Sequence, residues 1–157
     1  MAMTDERAGL LSLIQTIAAM RSEMDRPASL AVVETTIRRG HMPPLHRHDA
    51  DEAFYVLEGT LTVHAGEESV RLEAGEAFLA PRDLPHTHQA ESDRVRYLSV
   101  TFARSLGRYE DFLRAVGAPT GEGWRTADEA GTVAGISRPN GITVLGPPGA
   151  LPADSAH

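Results

Sequence analysis

The sequence contains no cysteine and no lysine; all 15 basic residues are arginine. Disulfides, thiolate zinc sites and a cysteine nucleophile are therefore excluded, as are a Schiff-base lysine and the lysine of a phosphate-binding loop. A basic field is missing too. Acidic residues number 22 and the net charge is −7, so nothing draws nucleic acid or an anionic membrane to the surface. Long apolar runs are also lacking. The best candidate, "LLSLIQTIAAM" at residues 10–20, follows Asp5, Glu6 and Arg7 rather than a positive stretch, and is far shorter than a bilayer span. It reads as a buried element of a cytoplasmic protein. Its Leu10, Leu13, Ile14 and Ile17 fit a helical face, while Leu11, Leu13, Gln15, Ile17 and Ala19 nearly alternate as in a strand.

What the chain does have is β texture. Hydrophobic content is 41% and length 157 residues, enough for one core without staples. Between residues 29 and 103 run "SLAVVETTI", "EAFYVLEG", "TLTVHA", "SVRL", "AFLA", "HTHQA" and "RVRYLSVTFA", separated by Gly, Pro and acidic turn clusters. Short strands at this spacing predict an all-β sandwich or barrel. The C-terminal third changes character. Ser105 can cap a helix over "LGRYEDFLRAV", with Leu106, Tyr109, Leu113 and Val116 on one face, stopped by Gly117 and Pro119. "TADE", residues 126–129, is a capping box for a shorter helix to about residue 137. The closing "GPPGALPADSAH" has little to pack and is expected to be a loose tail.

The chemistry concentrates between Gly40 and Gly59, in "GHMPPLHRHDADEAFYVLEG". In a strand, side chains two apart share a face, so His46 and His48 can reach one point. Glu52 comes next, with Phe54 and Val56 continuing its face as pocket or core wall, as does Phe78. Two imidazoles and a carboxylate suit iron, manganese, nickel, copper or zinc. A fourth ligand, His86, stands at the end of the proline-bracketed turn in "GEAFLAPRDLPHTHQA", and His88 lies on the same strand face. A lone histidine in a polar loop is ordinary; a co-facial pair, a carboxylate and a second pair in one β-rich chain point to a metal site. His41, His64 and His157 are expected to be bystanders.

With those residues in view, the sequence resembles the cupin superfamily. Gly40, His46, His48, Glu52 and Gly59 match its first motif, and Gly75, Pro81 and His86 its second; Asp83 stands where the family usually has glycine, and Ala90 where it has asparagine. Further likeness in "PPLHRHDADEAFYVLEGTLTV", "RYEDFLRAVGAP" and "GITVLGPP" is to single-domain, quercetin-dioxygenase-like bacterial cupins. The resemblance implies a double-stranded β-helix, or jelly-roll barrel. It implies one domain over residues 1–146, with the barrel at 29–103, a helical segment at 105–137 and a flexible tail at 147–157. Residues 10–20 become a strand. It also implies one divalent metal ion held by His46, His48, Glu52 and His86, and a homodimer. The expected function is a metal-dependent dioxygenase acting on a small enolic or phenolic compound, with Glu52 as ligand and base and His88 bonding substrate or moving a proton. An isomerase, cyclase or decarboxylase without redox change is the alternative, as is a non-catalytic small-molecule-binding domain; no DNA-binding helix-turn-helix is visible.

Overall fold

A computed structural model describes residues 29–103 and 141–155. Among these residues nine strands run in chain order: β1 (Ser29–Arg38), β2 (Pro44–His48), β3 (Ala50–Glu58), β4 (Thr60–Ala65), β5 (Glu68–Glu73), β6 (Ala77–Ala80), β7 (His86–Ala90), β8 (Arg94–Ala103) and β9 (Ile142–Pro148). They form two antiparallel sheets, β1-β8-β3-β6 and β5-β4-β7-β2-β9, and the all-β jelly roll expected from the sequence is what the chain adopts. Among the described residues no helix is long and apolar enough to cross a membrane.

Alternation makes the strands and then the core. In "TLTVHA" every second residue is buried, so Leu61, Val63 and Ala65 face inward while Thr60, Thr62 and His64 are partly exposed. Leu61 and Val63 join Ile37, Phe54, Val56, Leu72, Val95 and Tyr97 in the main core cluster. Each fully buried aliphatic or Phe side chain stabilises the fold by about 1.5–3 kcal/mol relative to exposure, so this cluster fixes the two sheets face to face. β3 is apolar on both faces. Phe54 and Val56 serve that cluster, whereas Ala53 and Tyr55 join Val100 and Phe102 in a second one.

The turns hold this register by backbone conformation. Gly59, between β3 and β4, has φ +82, and a Cβ there would lie 2.3 Å from the Arg94 carbonyl oxygen. Only glycine fits. Asp83 occupies the family's glycine position with φ 62, the left-handed conformation that aspartate tolerates better than most side chains.

The C-terminal end departs from expectation. Gly146, Pro147 and Pro148 complete β9, which pairs with β2 from Pro44↔Pro148 to His48↔Ile142, and residues Pro152–Ser155 form a 3-10 turn. A strand with two prolines is tolerated because β9 is the outermost of its sheet among the described residues, where missing N–H donors cost no ladder bond on the open side. The expectations for residues 10–20 and for helices within 105–137 lie outside the described residues.

Candidate metal centre

β2 supplies His46 and His48, two residues apart, and His86 opens β7 directly opposite His46 in the same sheet. Glu52 comes from the facing sheet, where β3 pairs it with Ala80 on one side and Thr101 on the other. The four predicted ligands thus converge across the interior, and their donor atoms all lie within 4.8 Å of one another. Around an ion with bonds of about 2.1 Å, donors sit roughly 3–4.2 Å apart, so closing this set onto a metal needs shifts of a few tenths of an ångström. His48, Glu52 and His86 are buried.

Two hydrogen bonds decide the protonation pattern. His46 Nδ1 lies 2.8 Å from the Pro44 carbonyl and His86 Nδ1 lies 2.8 Å from the Leu84 carbonyl. Carbonyls only accept, so each Nδ1 carries a hydrogen, which leaves Nε2 as the ring atom that can bind a metal. Yet His86 Nε2 stands 3.3 Å from Glu52 Oε2, and His48 Nε2 stands 3.0 Å from the same oxygen. Without a metal those contacts need a proton on each Nε2; a cation among the three atoms takes the place of those protons. The donor set therefore fits a metal ion on its own chemistry.

The electrostatics agree. Burial, reinforced by His86 and His48, pushes the His46 pKa down to about 3, which keeps the ring neutral as a ligand must be. Burial opposes a charge on Glu52, but hydrogen bonds from His48 and His86 hold its carboxyl well below the usual range. At His48 burial acts downward and is outweighed by the Glu52 carboxylate, so its pKa is raised. Each of the two thus favours the charged form of the other across the 3.0 Å contact.

Three interior residues were not singled out from the sequence. Ser99 on β8 donates its hydroxyl to Glu52 Oε1, leaving Oε2 for the histidines. Tyr97 lies two residues earlier on the same strand face, and its hydroxyl is 2.8 Å from His88 Nε2. Thr101, two residues later, is buried with its Oγ1 unpartnered. Polar side chains at alternate positions on the inward face of an otherwise apolar strand were the available signal. His88 itself is buried, neutral with a pKa pushed to about 3 by burial, and its Nδ1 has no partner. It is not part of the ligand group; its ring packs 5.2 Å from Phe54. His41 is half-buried, 6.5 Å from the His88 ring, while His64 pairs with the Ser69 hydroxyl away from the ligand group. His157 lies outside the described residues.

Residues 33–101 match the family model described as "Cupin domain". That stretch, rather less than half of the chain, is similar to a cupin domain. The match spans β2 through nearly all of β8 and so contains all four donors. Among solved structures, this chain is similar to KdgF from a Halomonas species, at 26% identity over 52% of this chain and 76% of that one, with a TM-score of 0.47. It is also similar to TT1209 from Thermus thermophilus, at 30% identity over 52% and 79%, TM-score 0.46. A salicylate 1,2-dioxygenase from Pseudoaminobacter salicylatoxidans shows 20% identity over 46% and 22%, TM-score 0.44. No curated protein sequence matches significantly.

Proposed function

We propose that this chain is a metal-dependent cupin enzyme of the quercetin-dioxygenase-like kind, joining dioxygen to a small enolic or phenolic compound. The observation that carries this is the His46–His48–Glu52–His86 group, three of its four members buried, with the Nδ1 atoms of His46 and His86 engaged by carbonyls and their Nε2 atoms left as the ring atoms that can bind. Three histidines and one carboxylate leave coordination positions for substrate oxygens. The chemistry a divalent transition metal supplies when bound there is polarisation of a substrate's hydroxyl and carbonyl, with a lowered hydroxyl pKa.

The chain's own residues do the rest. Glu52, held ionised and oriented by Ser99, takes the hydroxyl proton; with so low a pKa it is a weak base, suited to a hydroxyl already made acidic. Tyr97 has the more acidic hydrogen of the His88–Tyr97 pair, so it donates to His88 Nε2 and leaves Nδ1–H as a donor for a substrate oxygen. Phe54 and Val56 form a dry wall beside these groups. A homodimer belongs to the same reading. Among the described residues β1 is an edge strand with Val32 54% exposed, and a second copy would cover it; light scattering that shows a monomer at micromolar concentration ends that part.

The test is oxygen uptake by the metal-loaded protein with a panel of flavonols and enolic acids. Uptake matched by substrate loss, absent in Glu52→Gln, is expected. Product formed without oxygen, as an isomerase, cyclase or decarboxylase would give, overturns the dioxygenase assignment, as does tight binding without turnover.

A further inference from the structure

We infer that Asp51 and Arg82 are positioning residues for the metal centre, acting through the turn at residues 81–85. The inference rests on the four-ligand site, and on no particular reaction. Asp51 precedes Glu52 on β3, and strand alternation puts their side chains on opposite faces. Its carboxylate is gripped three times by one residue. Oδ1 accepts from the Arg82 backbone N–H at 2.9 Å and from Nε at 3.3 Å, and Oδ2 accepts from Nη2 at 2.6 Å. The Asp51 and Arg82 side chains are 12% and 27% exposed, so the pair is far better shielded than an ordinary surface ion pair.

The residues just after Arg82 give the pair its reach. The Asp83 N–H donates to the His48 carbonyl at 2.8 Å, and the positive φ of that residue turns the chain back toward Leu84. The Leu84 carbonyl accepts from His86 Nδ1–H at 2.8 Å, and the Pro85 carbonyl accepts from the Gly66 N–H at 2.9 Å. Four consecutive residues of one turn are thus each bonded outward. One bond ends on the neighbour of Glu52, one on the backbone of His48, and one on the ring of His86. Three of the four ligands are tied to a single rigid piece of backbone. Loosening the Arg82 end lets the turn tilt, and the tilt reaches His86 through Leu84 and His48 through Asp83. Lysine cannot replace the fork, because an ammonium offers one point charge where Asp51 is held by a planar pair of donors.

The experiment uses the whole 157-residue chain, with zinc(II) affinity measured by chelator competition and cobalt(II) as a spectroscopic probe of ligand geometry. Asp51→Asn keeps an acceptor for the Arg82 N–H and removes the charge; Arg82→Lys keeps the charge and removes the fork. Both should weaken zinc binding about 10–100-fold and shift the visible cobalt bands. Glu34→Gln is the control. It breaks the exposed Arg96–Glu34 pair between β8 and β1, 2.7 Å long, and should change neither readout. Zinc affinity within twofold of wild type with an unchanged cobalt spectrum overturns the inference. So does a metal loss that only accompanies unfolding of the metal-free variants by circular dichroism. Wild-type protein that binds neither ion defeats the metal site itself, and is told apart from failure of the clamp by that fact.

Discussion

Ser99→Ala isolates the hydroxyl that holds the Glu52 carboxylate. Glu52 is only 7% exposed, so water does not replace a donor removed from Oε1. A hydrogen bond to a charged, buried acceptor contributes about 1.5–3 kcal/mol, and leaving that acceptor unmatched costs a similar amount. At roughly 1.4 kcal/mol per factor of ten, zinc affinity should fall about 10- to 100-fold, because the carboxylate can rotate away from its position facing His48 and His86. Ser99→Thr keeps the hydroxyl and should restore most of the loss. Chelator competition reads the affinity, and urea unfolding of the metal-free protein reads the cost to the fold. The reasoning is refuted if Ser99→Ala binds zinc like wild type and unfolds within about 0.5 kcal/mol of it, the range of an ordinary surface change.

Acid should weaken the metal-free protein early. His46 and His88 have folded pKa values of about 3 against an ordinary 6.5, so their contribution is complete above pH 6.5 and is lost as pH falls toward 3, by roughly 1 kcal/mol per pH unit each. His48 works the other way, its raised pKa contributing below pH 6.5 and losing that contribution as pH rises through the folded value, but it is one group against two. Glu52 adds a loss only below its ordinary 4.5, as pH falls to its depressed value. Urea midpoints should therefore fall from pH 6.5 to 4.5, less steeply in His88→Gln, and a flat profile would contradict the burial of neutral histidines. Gly59→Ala should cost about 2 kcal/mol or more, from left-handed backbone plus the contact with the Arg94 carbonyl; a melting temperature within about a degree of wild type would refute it.

The strands were legible because alternation is a local signal, and "TLTVHA", "AFLA" and "HTHQA" became β4, β6 and β7 at the expected bounds. His46, His48 and His86 were legible for the same reason, since spacing along a strand fixes a shared face. Ser99 and Tyr97 were not. Their partners, Glu52 and His88, are 47 and 9 residues away, and nothing local says that β8 will pair with β3 in one sheet or face β7 in the other. The Asp51–Arg82 clamp spans 31 residues and was hidden in the same way. β9 escaped because Gly146, Pro147 and Pro148 read as tail chemistry, and only pairing with β2, through two register shifts near Leu45, gives that stretch a strand's place.

Metal content of protein purified without chelators, measured by mass spectrometry of the elements, tests the metal centre most directly. Wild type and His64→Ala should each carry about one divalent transition metal ion per chain, and His46→Ala/His48→Ala, with two of four ligands gone, should carry almost none. A double variant that is folded and holds as much metal as wild type would contradict the assignment.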